Sequence, residues 1–77
     1  MHDRIHRSLS TVSAGSSVLL RHIRAGQDLE VRLLAMGFVP GVSVAVHRNT
    51  PHGPLLVEVK GSRVMLGRGM AEKMAVD

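Results

Sequence analysis

Seventy-seven residues leave room for one hydrophobic core and no second domain, and the absence of cysteine rules out disulfides and thiolate zinc sites as supplements to it. Apolar residues make up 44% of the chain, which marks a folding domain and not a disordered tail, and no apolar run approaches the roughly 20 residues of a transmembrane helix. Ten basic against six acidic residues give a net charge of +4, enough to favour an acidic partner surface but too little for a dedicated nucleic-acid protein.

Met1 to Ser8 carries two histidines and two arginines with little apolar patterning, so residues 1–8 read as a flexible leader and 9–77 as the domain. No signal-peptide segment follows Met1, which makes the cytoplasm the expected location. Leu9 to Val12 suits one helical turn, and Ser13-Ala14-Gly15-Ser16 supplies turn residues. From Ser17 to Ile23 the period is two: Val18 and Leu20 share one face, while Leu19, Arg21 and Ile23 share the other.

The period lengthens between Gln27 and Met36, where Leu29, Leu33 and Met36 recur at helical spacing with Gln27, Glu30 and Arg32 left for solvent. Gly37 then stands at C′ and Phe38 at C″, the arrangement of a Schellman ending in which Phe38 packs back on Leu33. Val39-Pro40-Gly41-Val42 suits a type II turn, with proline presetting φ and glycine accepting a positive one. Val42, Val44 and Val46 alternate into the next strand. Arg48 to Pro54 is expected as a long hairpin loop, followed by inward Leu55, Val57 and Val59, a tight reversal at Lys60-Gly61-Ser62, and inward Val64 and Leu66. Gly67-Arg68-Gly69 breaks that strand, Met70 to Lys73 suits a helical turn, and Met74-Ala75-Val76 a last short strand.

The sum is a mainly β protein: a small SH3-like β-barrel of about five strands, with one short α-helix inserted after the first strand. Closure into a barrel would remove most open sheet edges, leaving weak self-association through a strand edge as an open question.

Three stretches together carry a family resemblance: Leu9-Ser10-Thr11-Val12, the run from Arg32 through Leu33, Leu34, Met36 and Gly37 to Pro40-Gly41, and Val57-Glu58-Val59-Lys60-Gly61 followed by Arg68 to Val76. From Leu9 to Asp77 the chain resembles the FeoA family of ferrous-iron uptake proteins. It departs from the family pattern in having Ala14 before the early glycine, where proline is usual, and in its leader. The resemblance implies a small cytoplasmic SH3-like protein, peripheral at the inner membrane through its partner, that acts with a membrane ferrous-iron permease bearing a GTP-binding domain. A similar barrel ends the iron-dependent repressors, but this chain has no DNA-binding helix pair. A regulator binding nucleic acid or a transcription factor, and a direct Fe²⁺ sensor, are therefore the competing readings.

No chemistry of catalysis is legible. There is no cysteine nucleophile, and Ser13, Ser16 and Ser17 lie in a turn with no histidine paired to them. Neither Ser13 to Ser17 nor Gly67-Arg68-Gly69 has the lysine and context of a phosphate loop, so no cofactor site is assigned. His2 and His6 share the spacing of a helical metal pair but sit in the leader. His47 and His52 flank the long loop, with Glu58 near enough in register to join His47 on Fe²⁺. Solvated histidines are the preferred account of all four, His22 receives no role, and no metal is assigned. One Phe, no Trp and no Tyr exclude an aromatic groove for proline peptides and stacking platforms for single-stranded nucleic acid. Partner contacts are assigned to Arg32, Met36, Arg21, Arg48 and Arg68: guanidinium forks suit carboxylates and methionine repacks readily. Met36, Met65, Met70 and Met74 all offer adaptable thioethers, but the periodicity of Met36 and Met74 favours core filling for those two. Gly37, Pro40, Gly41 and Gly61 are assigned structural roles.

Overall fold

Alternating aliphatic residues produce a six-stranded antiparallel sheet within residues 7–77, the part of the chain that the computed structural model describes. The strands are β1 (Arg7–Ser8), β2 (Ser17–Ile23), β3 (Ser43–Asn49), β4 (Leu55–Val59), β5 (Ser62–Leu66) and β6 (Met74–Val76), arranged in the order β1-β6-β2-β3-β4-β5. A 3-10 turn spans Leu9–Thr11, and the helices are α1 (Gln27–Ala35) and α2 (Arg68–Glu72). Most of the expected leader lies outside the described residues. Its last two members, Arg7 and Ser8, instead form β1 on β6, with Arg7 opposite Val76 and Ser8 opposite Ala75. The sheet stays open between β1 and β5, so the expected barrel is not hydrogen-bonded all the way round.

Two β-bulges correct the simple alternation. The first lies between Leu20 and His22 in β2, where one extra residue re-phases the strand. Ile23, expected opposite Val18 and Leu20, therefore joins them in the core. The second lies between Val46 and Arg48 in β3. Strict alternation after Val44 and Val46 would turn Arg48 inward; the bulge leaves Arg48 exposed and turns Asn49 toward the 3-10 turn. Arg48 and Asn49 thus belong to β3, and the loop is shorter than expected.

α1 ends at a Schellman motif. The Phe38 N–H donates to Leu33 O and the Gly37 N–H to Leu34 O, each at 3.0 Å. Gly37 has φ 101°. Gly37→Ala is expected to cost about 1–2 kcal/mol from this conformation alone, because its added Cβ would meet only ordinary contacts, 3.6 Å from Lys60 Cδ. A shift in the urea midpoint checks it. The turn at Pro40 closes with Val42 N–H on Val39 O at 2.9 Å, and the Gly41 N–H donates to Leu20 O at 2.7 Å, tying the turn to β2. Lys60 and Gly61 both have positive φ, 51° and 81°, as a two-residue type I′ hairpin turn requires.

The core is aliphatic around one aromatic ring. Phe38, Leu9, Leu20, Leu33, Leu55 and Met74 are its largest buried members, and no charged or polar residue is buried among the described ones. Val64, expected fully inside, is only half-buried, although Val57 opposite it is fully buried. α2 begins at Arg68, two residues before the expected turn, because Gly67 serves as its N-cap and accepts the Ala71 N–H at 3.0 Å. Among the described residues no helix is long and apolar enough to cross a membrane.

Candidate functional site

α1 is apolar on two sides, and that is what makes a surface of it. Leu29 and Leu33 point toward the core, Leu33 being fully buried. At 100° per residue Val31 comes out opposite that pair and Leu34 about 120° round from it. There Val31 is 56% exposed and Leu34 38% exposed. The chain carries the strip on through Met36 at 44% and Val39 at 38%. Four of the six large exposed hydrophobic residues among those described therefore fall within one stretch of nine residues, a concentration unlike the scattered single exposures of an ordinary surface. An open depression of about 650 Å³ beside it is lined by Gln27, Asp28, Val31 and Arg32. Arg32 is exposed on the flank and makes no hydrogen bond or ion pair among the described residues.

Arg32 and Met36 are thus neighbours on one accessible element. Met36 does not fill the core as its spacing predicts; it is the C-cap of α1, where the chain turns away, whereas Met74 is fully buried. The other assigned arginines lie elsewhere. Arg21 on β2 holds the Asp77 carboxylate at 2.7 Å. Arg48 is exposed on β3, opposite Leu56.

Arg68 is turned inward as a clip. Its Nε donates to Gly53 O at 3.0 Å, Nη1 to Ser10 O at 3.3 Å, and Nη2 to Thr50 O at 2.6 Å and to Asn49 Oδ1. Asn49 continues the network, its Nδ2 donating to Ser10 O at 3.0 Å and Val12 O at 2.8 Å. The fork joins the 3-10 turn, the end of β3 and the loop after it, which commits its donors within the fold.

His47 Nε2 and Glu58 Oε1 meet at 2.8 Å, as their register suggested. Arg63 Nε stands 3.8 Å from the same oxygen, a cation where a metal site needs another donor. Among the described residues no three His, Cys, Asp or Glu side chains gather to hold a metal. His22 is half-buried and accepts the Arg24 Nε–H at 3.1 Å, His52 sits exposed in the loop at φ 61°, and His2 and His6 lie outside the described residues.

The residues missed by sequence reasoning are Val31, Leu34 and Val39. Their signal was present: two apolar pairs, Leu29–Leu33 and Val31–Leu34, each at helical spacing, lie on opposite sides of a helix of nine residues.

Comparison with known proteins agrees along the described chain. The FeoA domain matches residues 7–77. A protein of Methanocaldococcus jannaschii named as an Fe(2+) transport protein A is 36% identical over 69 residues, which is 90% of this chain and 83% of the relative. A crystal structure of an iron uptake regulatory protein, FeoA, superposes with a TM-score of 0.86 at 29% identity, covering 94% of this chain and 96% of the other. The zinc complex of Stenotrophomonas maltophilia FeoA, described as a procaryotic SH3 domain protein, superposes with a TM-score of 0.80 at 29% identity, covering 91% and 88%. The open sheet with its inserted helix is accordingly an SH3-like fold, and this chain belongs to the FeoA domain family.

Proposed function

We propose that this chain is a small cytoplasmic accessory protein of ferrous-iron uptake that docks on the cytoplasmic, GTP-binding part of a membrane Fe²⁺ permease. Family membership and the iron-transport names of its relatives support the process. The observation that carries the docking mode is the group of exposed apolar residues on α1 and the turn after it, Val31, Leu34, Met36 and Val39, with the uncommitted Arg32 on the same helix. Apolar side chains bordered by a free guanidinium suit a partner groove with a carboxylate at its rim. Fe²⁺ is then the permease's cargo and not a ligand held here, and the protein reaches the membrane only through its partner. The chemistry asked of the chain is recognition without catalysis.

Titration calorimetry with the permease's cytoplasmic domain, run in the GTP-bound, GDP-bound and empty states, tests this reading. Saturable binding is expected in at least one state, and none in all three overturns it. Val31→Glu and Met36→Glu should each weaken that binding by about tenfold or more, since each puts a charge into a desolvated contact. Their unfolding stability should stay within about 0.5 kcal/mol of the parent, because both side chains already face water. Binding unchanged in both variants would move the contact away from α1.

A further inference from the structure

β5 is an outer strand, and the geometry of its hairpin states which backbone groups it leaves open. Val59 and Ser62 flank the two-residue turn and so form a mutually hydrogen-bonded pair. Bonded and non-bonded pairs alternate along an antiparallel ladder, so Val57 with Val64 and Leu55 with Leu66 are bonded as well. The N–H and C=O groups of Arg63 and Met65 therefore point away from β4, toward a side on which the sheet has no further strand. Neither residue makes a backbone bond to any other described element. This edge carries little of the protection usual for an outer strand: no proline, no bulge and a single charged residue, Arg63. Val64 leaves its core-facing side half-exposed at the lip of the sheet.

We propose that β5 is a self-association edge, pairing antiparallel with β5 of a second copy about a two-fold axis at Val64. In that register Arg63 of each copy lies opposite Met65 of the other, and the two bonded pairs make four hydrogen bonds. On the outer face a row then runs from Leu56 across Met65 to Arg63 of the second copy and on to that copy's Glu58. The Met65 thioether lies along the arginine stem while the head stays near its own Glu58, 3.8 Å away within one copy. On the inner face the half-buried Val64 is covered by its symmetry mate, and Ser62 meets Leu66.

Charge selects this register over its neighbours. Sliding one way places Arg63 directly opposite Arg63, a like-charge pair. Sliding the other way centres the ladder on Met65 and moves Arg63 opposite Gly67, beyond the strand, which halves the bonds. The Val64-centred register thus keeps both bonded pairs and sets no like charges opposite each other within the strand. The contact is one short strand and the association accordingly weak.

Met65 is 63% exposed, so substitutions there test the register without disturbing the fold. Sedimentation equilibrium from about 10 µM to about 1 mM, with amide exchange read by NMR, should show a monomer–dimer equilibrium. The Arg63 and Met65 amides should become protected as concentration rises. Met65→Glu places a carboxylate opposite Arg63 of the second copy and should tighten the dimer about fivefold, while Met65→Lys should weaken it by a similar factor, since symmetry counts each cross-strand pair twice. A species that stays monomeric to about 1 mM, or two variants that shift the equilibrium in the same direction, would overturn the proposal. Protection of these amides only when the permease domain is added would also overturn it, assigning the edge to a strand from another protein.

Discussion

Phe38→Ala is expected to lower the unfolding free energy by about 3–5 kcal/mol, the largest effect of any single side-chain truncation in this chain. Phe38 is the only aromatic residue and is completely buried. It is also the residue whose N–H closes the end of α1 on Leu33 O. Its ring therefore fills the core and fixes the direction in which the chain leaves the helix. Domains this small have total stabilities toward the low end of about 5–15 kcal/mol, so the variant should be largely unfolded or molten at room temperature. Phe38→Leu keeps most of the apolar volume and should cost much less, about 1–1.5 kcal/mol. Urea unfolding followed by circular dichroism measures both. A loss below about 1 kcal/mol for the alanine variant would mean that the neighbouring aliphatic chains collapse into the space.

Arg68→Met is expected to cost about 2–3 kcal/mol, because it removes the side-chain donor from Gly53 O, Thr50 O and Asn49 Oδ1 and leaves Ser10 O to Asn49 alone. Several of those acceptors are only half-buried, so water recovers part of the loss and the cost stays below that of the Phe38 truncation. Arg68→Lys should recover little, since an ammonium group cannot serve three directions from one plane. Hydrogen exchange provides the signature: amides from Thr50 to Gly53 and around the 3-10 turn should exchange faster, while those of β4 stay protected. The same variant separates two roles for this arginine. A residue that contacted a partner would lose binding with stability intact, whereas a clip loses stability first.

These two residues show what local reading reaches and where it stops. The role of Phe38 follows from its position one residue after a helix-ending glycine, a relation confined to six consecutive residues. The inward turn of Arg68 rests on Ser10, fifty-eight residues away, and on a bulge in β3 that brings Asn49 to the same point. No short window contains that arrangement, and in isolation an arginine between two glycines looks like exposed loop. Met36 and Ile23 were misplaced for related reasons. Met36 continues the helical spacing after the chain has already turned, and Ile23 follows a bulge that cannot be counted from alternation alone.

The α1 strip was half legible. Arg32 and Met36 were singled out for their chemistry, yet Met36 was also counted toward the core, and Val31, Leu34 and Val39 were given no surface role. On so short a chain a helix with apolar residues on both sides can bury only one of them, and the packing of Leu29 and Leu33 decides which.

By itself, then, the sequence determined whatever depends on neighbours within about one turn: alternating strands, a single substantial helix and its Schellman ending, the turns at Pro40 and Lys60-Gly61, and the family. The fold alone decided the phase of β2 and β3 after their bulges, the burial of one face of α1, the capture of Arg68 and the open edge at β5. Those outcomes depend on strand pairing and charge contacts between residues far apart in the chain, and such long-range energies are set only once the sheet has formed.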